Sequence, residues 1–212
     1  MSFRFDRTHN NLVLFALNFI YIFVIGYFEN LGNPTMAYHI IITGIYLASY
    51  YSIRDKGNIM VSAPVIVIIL TWISSIFHLG LLEIISVIVS LLFFLVIIFF
   101  LVIRVAKSKR VTRLEFLESI NVYLLLGIEG SLLFRLVYII NHSAYNIPGE
   151  TIHFSDFIYF SFVTMTTLGY GDITPVSPAA RSLTIFFSVA GQLYLTMIIA
   201  VLVGKYLSMK ND

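Results

Sequence analysis

Long apolar runs separated by short polar segments make up most of the chain. A helix needs about 20 residues to span the hydrocarbon core of a membrane. Six runs reach or approach that length: residues 12–28, 36–53, 59–78, 82–103, 119–140 and 182–207. The pattern predicts six transmembrane helices.

A shorter segment of mixed polarity lies between the fifth and sixth runs. Residues 151–180 hold too few apolar residues before Gly169 to cross a membrane. We expect a short helix with Asp156 near its positive N-terminus, followed by a loop that returns to the same face. Non-helical backbone at membrane depth is tolerated only inside protein or beside water, so the loop is predicted to face water or an ion.

Composition supports a membrane protein, because 59% of the 212 residues are hydrophobic and only 11% are charged. The absence of cysteine excludes disulfides, thiolate metal sites and thiol nucleophiles. No carboxylate pair, nucleophile–base set or phosphate loop is visible. An enzyme, a cofactor and a nucleic-acid partner are therefore not expected.

Basic residues predict the orientation. The loops 29–35, 79–81 and 141–181 carry only Arg181. All basic residues at the other ends of the helices lie on one side if both termini are cytoplasmic. They are Arg4, Arg7, Arg54, Lys56, Arg104, Lys107, Lys109, Arg110, Arg113, Lys205 and Lys210. We expect an integral protein of the plasma or cell inner membrane, in contact with lipids.

The chain divides into three parts. Residues 1–105 are predicted to form a four-helix transmembrane domain, and residues 119–208 a domain of helix, re-entrant segment and helix. Between them, residues 106–118 have apolar positions about every three residues, as in an amphipathic helix on the inner membrane surface. This linker either transmits force or is simply a basic loop that happens to be helical.

The stretch Thr164–Asp172, "TMTTLGYGD", carries the chemistry. Glycine reaches positive φ without a Cβ penalty, so Gly169 and Gly171 allow successive carbonyls to point the same way. Four such loops around an axis would form stacked rings of oxygen that replace the hydration shell of a monovalent cation. Tyr170 would then point outward into packing.

The sequence Thr167–Gly171 differs by one aliphatic residue from the potassium-channel signature Thr-Val-Gly-Tyr-Gly. It resembles tetrameric potassium channels of the six-transmembrane-helix, voltage-gated-like superfamily. The resemblance is close over about the last 90 residues, and covers residues 1–105 only in helix count. It implies an all-α membrane protein with six transmembrane helices, a pore helix and a selectivity-filter loop, assembled as a homotetramer.

The resemblance also implies the site. The potassium ligands would be the carbonyls of Thr167, Leu168, Gly169 and Tyr170 together with the Thr167 hydroxyl, and Gly171 would complete the filter. Potassium is then the permeant ion and not a cofactor. The alternative function is a non-conducting accessory subunit that joins other pore-forming chains.

Four residues are expected to support the filter: Thr166, Tyr159, Phe160 and Asp172. Members of the superfamily often have paired tryptophans where Tyr159-Phe160 stand here. The resemblance therefore implies that the hydrogen-bond donor to Asp172 is missing at Phe160. Gly191 and Gly204 are candidate gating hinges, because no proline follows Gln192. Close helix packing is the alternative for both, and the favoured one for Gly204.

Gating charge is almost absent from the fourth helix, which has only Arg104 at its cytoplasmic end and Glu83 at the other. The chain thus resembles a prokaryotic-type member that lacks an arginine-rich fourth helix. We expect weak or no voltage dependence. Glu129 and Arg135 lie inside the fifth helix, where they either brace the pore helix, with Asp156 as one partner, or make a structural polar contact.

Overall fold

The computed structural model describes residues 7–24, 26, 34–53, 62–77, 80–108, 112–149 and 152–210. It is mostly helical. The helices are α1 Arg7–Phe19, α2 Pro34–Ile53, α3 Ser62–Phe77, α4 Gly80–Lys107, α5 Arg113–Ile140, α6 Phe154–Met165 and α7 Pro178–Lys210. A π-helix, Ile20–Val24, follows α1, and strands β1 Tyr145–Asn146 and β2 Thr174–Pro175 pair antiparallel.

Each of the six predicted spans overlaps one of the helices α1–α5 and α7, and the predicted re-entrant helix is α6. Within the described residues, three helices are long and apolar enough to cross a membrane: α4, α5 and the part of α7 from Pro178 to Val201. The full set of six spans stays a prediction. The basic residues Arg4, Arg54, Lys56, Lys109 and Arg110 lie outside the described residues.

Only part of the predicted linker 106–118 is described, because residues 109–111 lie outside the described residues, and the amphipathic helix there stays a prediction. Residues 106 and 107 end α4, and α5 already begins at Arg113. Thr112 caps the start of α5, because its hydroxyl oxygen accepts the Leu114 N–H at 3.3 Å and the Glu115 carboxylate accepts the Thr112 backbone N–H at 2.8 Å. This cap defines where α5 begins.

The chain forms two compact units, residues 1–122 with 204–212 and residues 123–203. In the first unit, α1 and α2 run antiparallel, because Asn10 Nδ2 donates to the Tyr51 carbonyl at 3.1 Å and the Tyr21 and Tyr38 rings are 5.6 Å apart. The hydroxyl of Tyr46 on α2 bonds Ser90 on α4 at 2.8 Å. These contacts hold the first unit together around buried aromatic and small polar residues.

Arg104 anchors three helix ends in the first unit. Its Nη1 lies 2.9 Å from Oε1 of Glu118, which is fully buried near the start of α5. Its guanidinium also donates to the carbonyls of Ser52 and Ile53, the last residues of α2, at 2.9 and 3.0 Å. The arginine that directly follows the fourth predicted span, Arg104, therefore makes fixed structural contacts.

The second unit has an aromatic core, to which α5 contributes Phe134, α6 contributes Phe160 and α7 contributes Phe187. The Phe134 ring centroid lies 4.9 Å from that of Phe160 and 5.4 Å from that of Phe187. Helix α6 approaches α5 closely because Gly127 has no side chain: a Cβ there would lie 2.1 Å from Phe162 Cζ. Ser161 Oγ donates to the Gly127 carbonyl at 2.7 Å across the same contact. This packing fixes α6, and with it the loop that follows.

Candidate ion-binding loop

Capping at both ends defines α6, which carries the loop. At the N-terminus, Asp156 Oδ2 accepts the backbone N–H of His153 at 2.8 Å, the arrangement of a capping box. Asp156 therefore lies at the positive end of α6, as predicted, and this contact occupies its carboxylate in the cap. At the C-terminus, the Thr166 hydroxyl donates to the Phe162 carbonyl at 2.7 Å.

The loop backbone folds back onto the end of α6. The Val163 carbonyl accepts the N–H groups of Leu168 and Gly169 at 3.0 and 3.3 Å, and Thr167 N–H donates to the Thr164 carbonyl at 3.0 Å. The first N–H groups of the loop thus satisfy carbonyls that the helix end would leave unpaired. This leaves the carbonyls of the loop itself available for other partners.

Along the loop, residues with positive φ alternate with residues that do not have positive φ. Positive φ occurs at three loop residues, with values of 59° at Thr167, 54° at Gly169 and 80° at Gly171. Leu168 and Tyr170, which lie between them, do not have positive φ. Such alternation lets successive carbonyls face one side of the chain. Positive φ was expected at the glycines. Thr167 is an additional case and the only described non-glycine residue with positive φ.

The side chains of the loop have little cover within one chain. Leu168 is 55% exposed and Tyr170 is 68% exposed. The prediction that Tyr170 points into packing concerns four loops around an axis, so it stays a prediction. An open pocket of about 460 Å³ adjoins the loop, lined by residues that include Thr167, Gly169, Phe160 and Val189.

Asp172 does have a hydrogen-bond donor. The hydroxyl of Tyr159 donates to its Oδ2 at 2.6 Å. The donor is not at Phe160, whose ring is buried in the aromatic core, but at the neighbouring Tyr159, which was among the residues expected to support the filter. The Tyr159 hydrogen bond holds the pKa of Asp172 below its usual value, and the same bond raises the pKa of Tyr159 to about 12.

The two predicted intramembrane charges lie apart from the loop contacts described above. Glu129 is buried in α5, and its Oε2 has no hydrogen-bond partner among the described residues. The Arg135 guanidinium carbon lies 5.3 Å from the centroid of the Phe154 ring, a cation–π contact with the first residue of α6. Arg135 thus contacts α6, whereas bracing by Glu129 stays a prediction.

The two candidate hinges differ in their surroundings. A Cβ on Gly191 would lie 2.5 Å from the carbonyl oxygen of Met165, the last residue of α6. A Cβ on Gly204 would meet nothing within 4 Å among the described residues, and the packing interpretation favoured for Gly204 stays a prediction. Helix α7 is continuous through both positions, and hinge motion stays a prediction.

Sequence reasoning missed two polar residues. Gln192 on α7 donates from Nε2 to the Thr167 hydroxyl oxygen at 3.3 Å, and buried Glu118 pairs with Arg104. For Gln192 a signal was available, since a lone amide beside Gly191 in an apolar helix is unusual. Glu118 gave no signal, because it follows a basic segment and looks like an ordinary interfacial charge.

The segment that carries this loop is similar to ion channels. A family model described as "Ion channel" matches residues 130–208, less than half of the chain. Together with the apolar helices, this match supports an integral membrane protein. No solved structure matches the chain.

Curated relatives are potassium channels by name. Two-pore potassium channel 2 of Arabidopsis thaliana is 35% identical over 91 residues, which are 43% of this chain and 19% of the relative. Two-pore potassium channel 3 of the same plant is 33% identical over 105 residues, which are 50% of this chain and 22% of the relative. Potassium channel K1 of Plasmodium berghei (strain Anka) is 46% identical over 54 residues (26% and 3%). The chain matches about a fifth of the plant proteins. These similarities indicate a channel and not an enzyme.

Proposed function

We propose that this chain is the subunit of a potassium-selective ion channel that conducts passively through the loop Thr167–Gly171. The observation that carries the proposal is the alternating backbone: positive φ at Thr167, Gly169 and Gly171 in a loop whose first N–H groups bond α6. Carbonyls freed in this way substitute for the hydration shell of a dehydrated cation. The carbonyls of residues 167–170 and the Thr167 hydroxyl are the proposed ligands.

A homotetramer is the proposed assembly, because one chain carries one copy of the loop and a closed ring of oxygens needs four. The exposure of the loop side chains supports this. So does α7, where only 11% of the membrane-length window is buried within the chain. Phe186, Val189, Leu193 and Met197 form an exposed apolar stripe there, available to other copies and to lipid.

Weak voltage dependence is part of the proposal. Moving one charge through the membrane field is worth about 2.3 kcal/mol per 100 mV. Helix α4 has no basic residue before Arg104, and Arg104 is held by Glu118 and two backbone carbonyls. We infer six spans, both termini cytoplasmic and a place in the plasma or cell inner membrane. No cofactor or nucleic acid takes part.

Flux through the purified chain in liposomes tests the function. We expect potassium flux well above sodium flux, abolished by Gly169→Ala, because alanine is strained at a φ of 54°. Gly80→Ala is the matched control, since a Cβ there meets nothing within 4 Å. Flux that does not distinguish potassium from sodium contradicts the selectivity. Absence of flux at every voltage and pH favours the accessory-subunit alternative.

A further inference from the structure

Gln192 lies beside the first residue of the proposed filter. We propose that Gln192 is a positioning residue, which holds the Thr167 hydroxyl and thereby sets cation binding at the inner end of the loop. The inference rests on the proposed function and names a residue of α7 that tunes its innermost ion site. Both Gln192 and Thr167 belong to the second unit.

The contact joins two distant parts of the sequence. Gln192 Nε2 donates to Thr167 Oγ1 at 3.3 Å, across a separation of 25 residues. The preceding residue explains how α7 comes so near, because a Cβ on Gly191 would lie 2.5 Å from the Met165 carbonyl oxygen. Helix α7 therefore passes in contact with the end of α6, and this places the next side chain beside Thr167.

Thr167 is a residue that needs such support. It is β-branched and has a φ of 59°, a conformation that costs free energy for any residue with a Cβ. The backbone contacts of the loop fix its N–H on the Thr164 carbonyl. The amide of Gln192 fixes the other end of the residue, the side-chain oxygen.

The chemistry of the hydroxyl leaves room for an ion. A threonine hydroxyl has one donor and two acceptor positions. The Gln192 N–H occupies one acceptor position, so a lone pair of Oγ1 remains for a cation. Because the amide is neutral, Gln192 acts by holding the oxygen in place before the ion arrives and not by adding charge. Loss of this contact is expected to weaken cation binding at the inner end.

Internal Ba²⁺ is the probe, because it is close to K⁺ in size and carries twice the charge, so it binds such oxygens tightly and blocks. With K⁺ currents recorded from the purified chain in planar bilayers, we expect Gln192→Met to raise the half-blocking Ba²⁺ concentration about fivefold, the effect of one net hydrogen bond. Gln192→Asn keeps the amide but is shorter by one methylene, and should give a similar shift.

Thr196→Val is the matched control. Thr196 lies one turn further along the same helix face and is also exposed, but its hydroxyl donates to the Gln192 backbone carbonyl at 2.8 Å. Its removal should leave Ba²⁺ block unchanged. An equal shift in Thr196→Val would show that general polarity below the loop is responsible, and would overturn the proposal.

A double-mutant comparison tests whether Gln192 acts through Thr167. In a Thr167→Val background, the Gln192→Met shift should disappear, because the hydroxyl is already gone. If Thr167→Val does not conduct, Ba²⁺ binding to the purified protein is measured by calorimetry in the same four variants.

Unchanged block in both Gln192 variants, or a shift that persists without the Thr167 hydroxyl, overturns the inference while leaving the channel function intact. Absence of potassium current from the unsubstituted chain overturns the proposed function, and the inference with it.

Discussion

The hydroxyl of Tyr159 donates a 2.6 Å hydrogen bond to Oδ2 of Asp172. Tyr159 is on α6, and Asp172 directly follows the second glycine of the loop. Since the Thr166 hydroxyl and the Val163 carbonyl tie down the inner end of the same loop, the loop is held to its helix at both ends. We expect this outer tie to set how long the loop keeps its conducting geometry.

Removal of the outer tie should therefore shorten conduction. In Tyr159→Phe, we expect potassium currents to decay several-fold faster after activation, because Asp172 loses a charge-assisted hydrogen bond. Single-channel recording in planar bilayers measures the decay. Tyr145→Phe is the control: it removes a buried hydroxyl of the same unit that has no hydrogen-bond partner among the described residues. Equal decay in the two variants would refute a role for the tie.

The same pair predicts a pH window for stability. The hydrogen bond to Tyr159 lowers the pKa of Asp172. Its contribution to folding stability is therefore fully present above the ordinary pKa of 3.8 and is lost as pH falls through the lowered pKa. The pKa of Tyr159 is raised, so the contribution is full below the ordinary value of 10.0 and is lost as pH rises through about 12.

We therefore expect the difference in melting temperature between the unsubstituted chain and Tyr159→Phe to be constant from about pH 5 to 9. It should shrink at both extremes. Thermal unfolding of the detergent-solubilised protein across this range measures it. A difference that varies through neutral pH would assign the effect to other titrating groups.

Much of this site could be predicted from the sequence, because the glycines and threonines of "TMTTLGYGD" act through their own backbone. The hydrogen-bond donor to the Asp172 carboxylate could not be chosen from the sequence in this way. Tyr159 and Phe160 are adjacent on α6 and point in different directions, so the choice between them depends on the rotation of α6 about its axis. Packing of Phe160 against Phe134 fixes that rotation, and apolar spacing alone does not encode it.

Gly191 tests packing against hinge motion. Gly191→Ala places a Cβ 2.5 Å from the Met165 carbonyl oxygen, and we expect a loss of about 1–3 kcal/mol in unfolding free energy from overpacking. Gly80→Ala, with open space around its Cβ, should be neutral or slightly stabilising. Denaturant unfolding of both variants measures the difference. Full stability of Gly191→Ala together with altered open times would favour the hinge.

The Arg104–Glu118 pair should be a main support of the first unit. Removing one partner of a buried pair leaves an uncompensated charge, so we expect Arg104→Met to lower the unfolding free energy by about 3 kcal/mol. Arg104→Lys should rescue little, because an ammonium lacks the planar fork that serves Glu118 and the carbonyls of Ser52 and Ile53 together. Denaturant unfolding compares the variants, and a fully stable Arg104→Lys would contradict this assignment.

The apolar runs predicted which segments form helices, but they did not predict the polar contacts between those helices. Asn121 on α5 donates to the Asn11 backbone carbonyl at 2.9 Å, although 110 residues separate them. Arg104 and Glu118 are only 14 residues apart, but they lie on two different helices, so their contact depends on where α4 ends and α5 begins. The Thr112 cap, in which the Glu115 carboxylate accepts the Thr112 N–H, marks the start of α5. Its residues were visible in the sequence, but the apolar spacing of residues 106–118 was interpreted as an amphipathic linker.

Selectivity is the central claim, and the reversal potential under bi-ionic conditions tests it most directly. The purified, unsubstituted chain is placed in a planar bilayer with potassium on one side and an equal concentration of sodium on the other. We expect a reversal potential far from zero, with the sign that carries potassium current alone. A reversal potential near zero, with the current still present, would contradict a carbonyl filter at Thr167–Gly171.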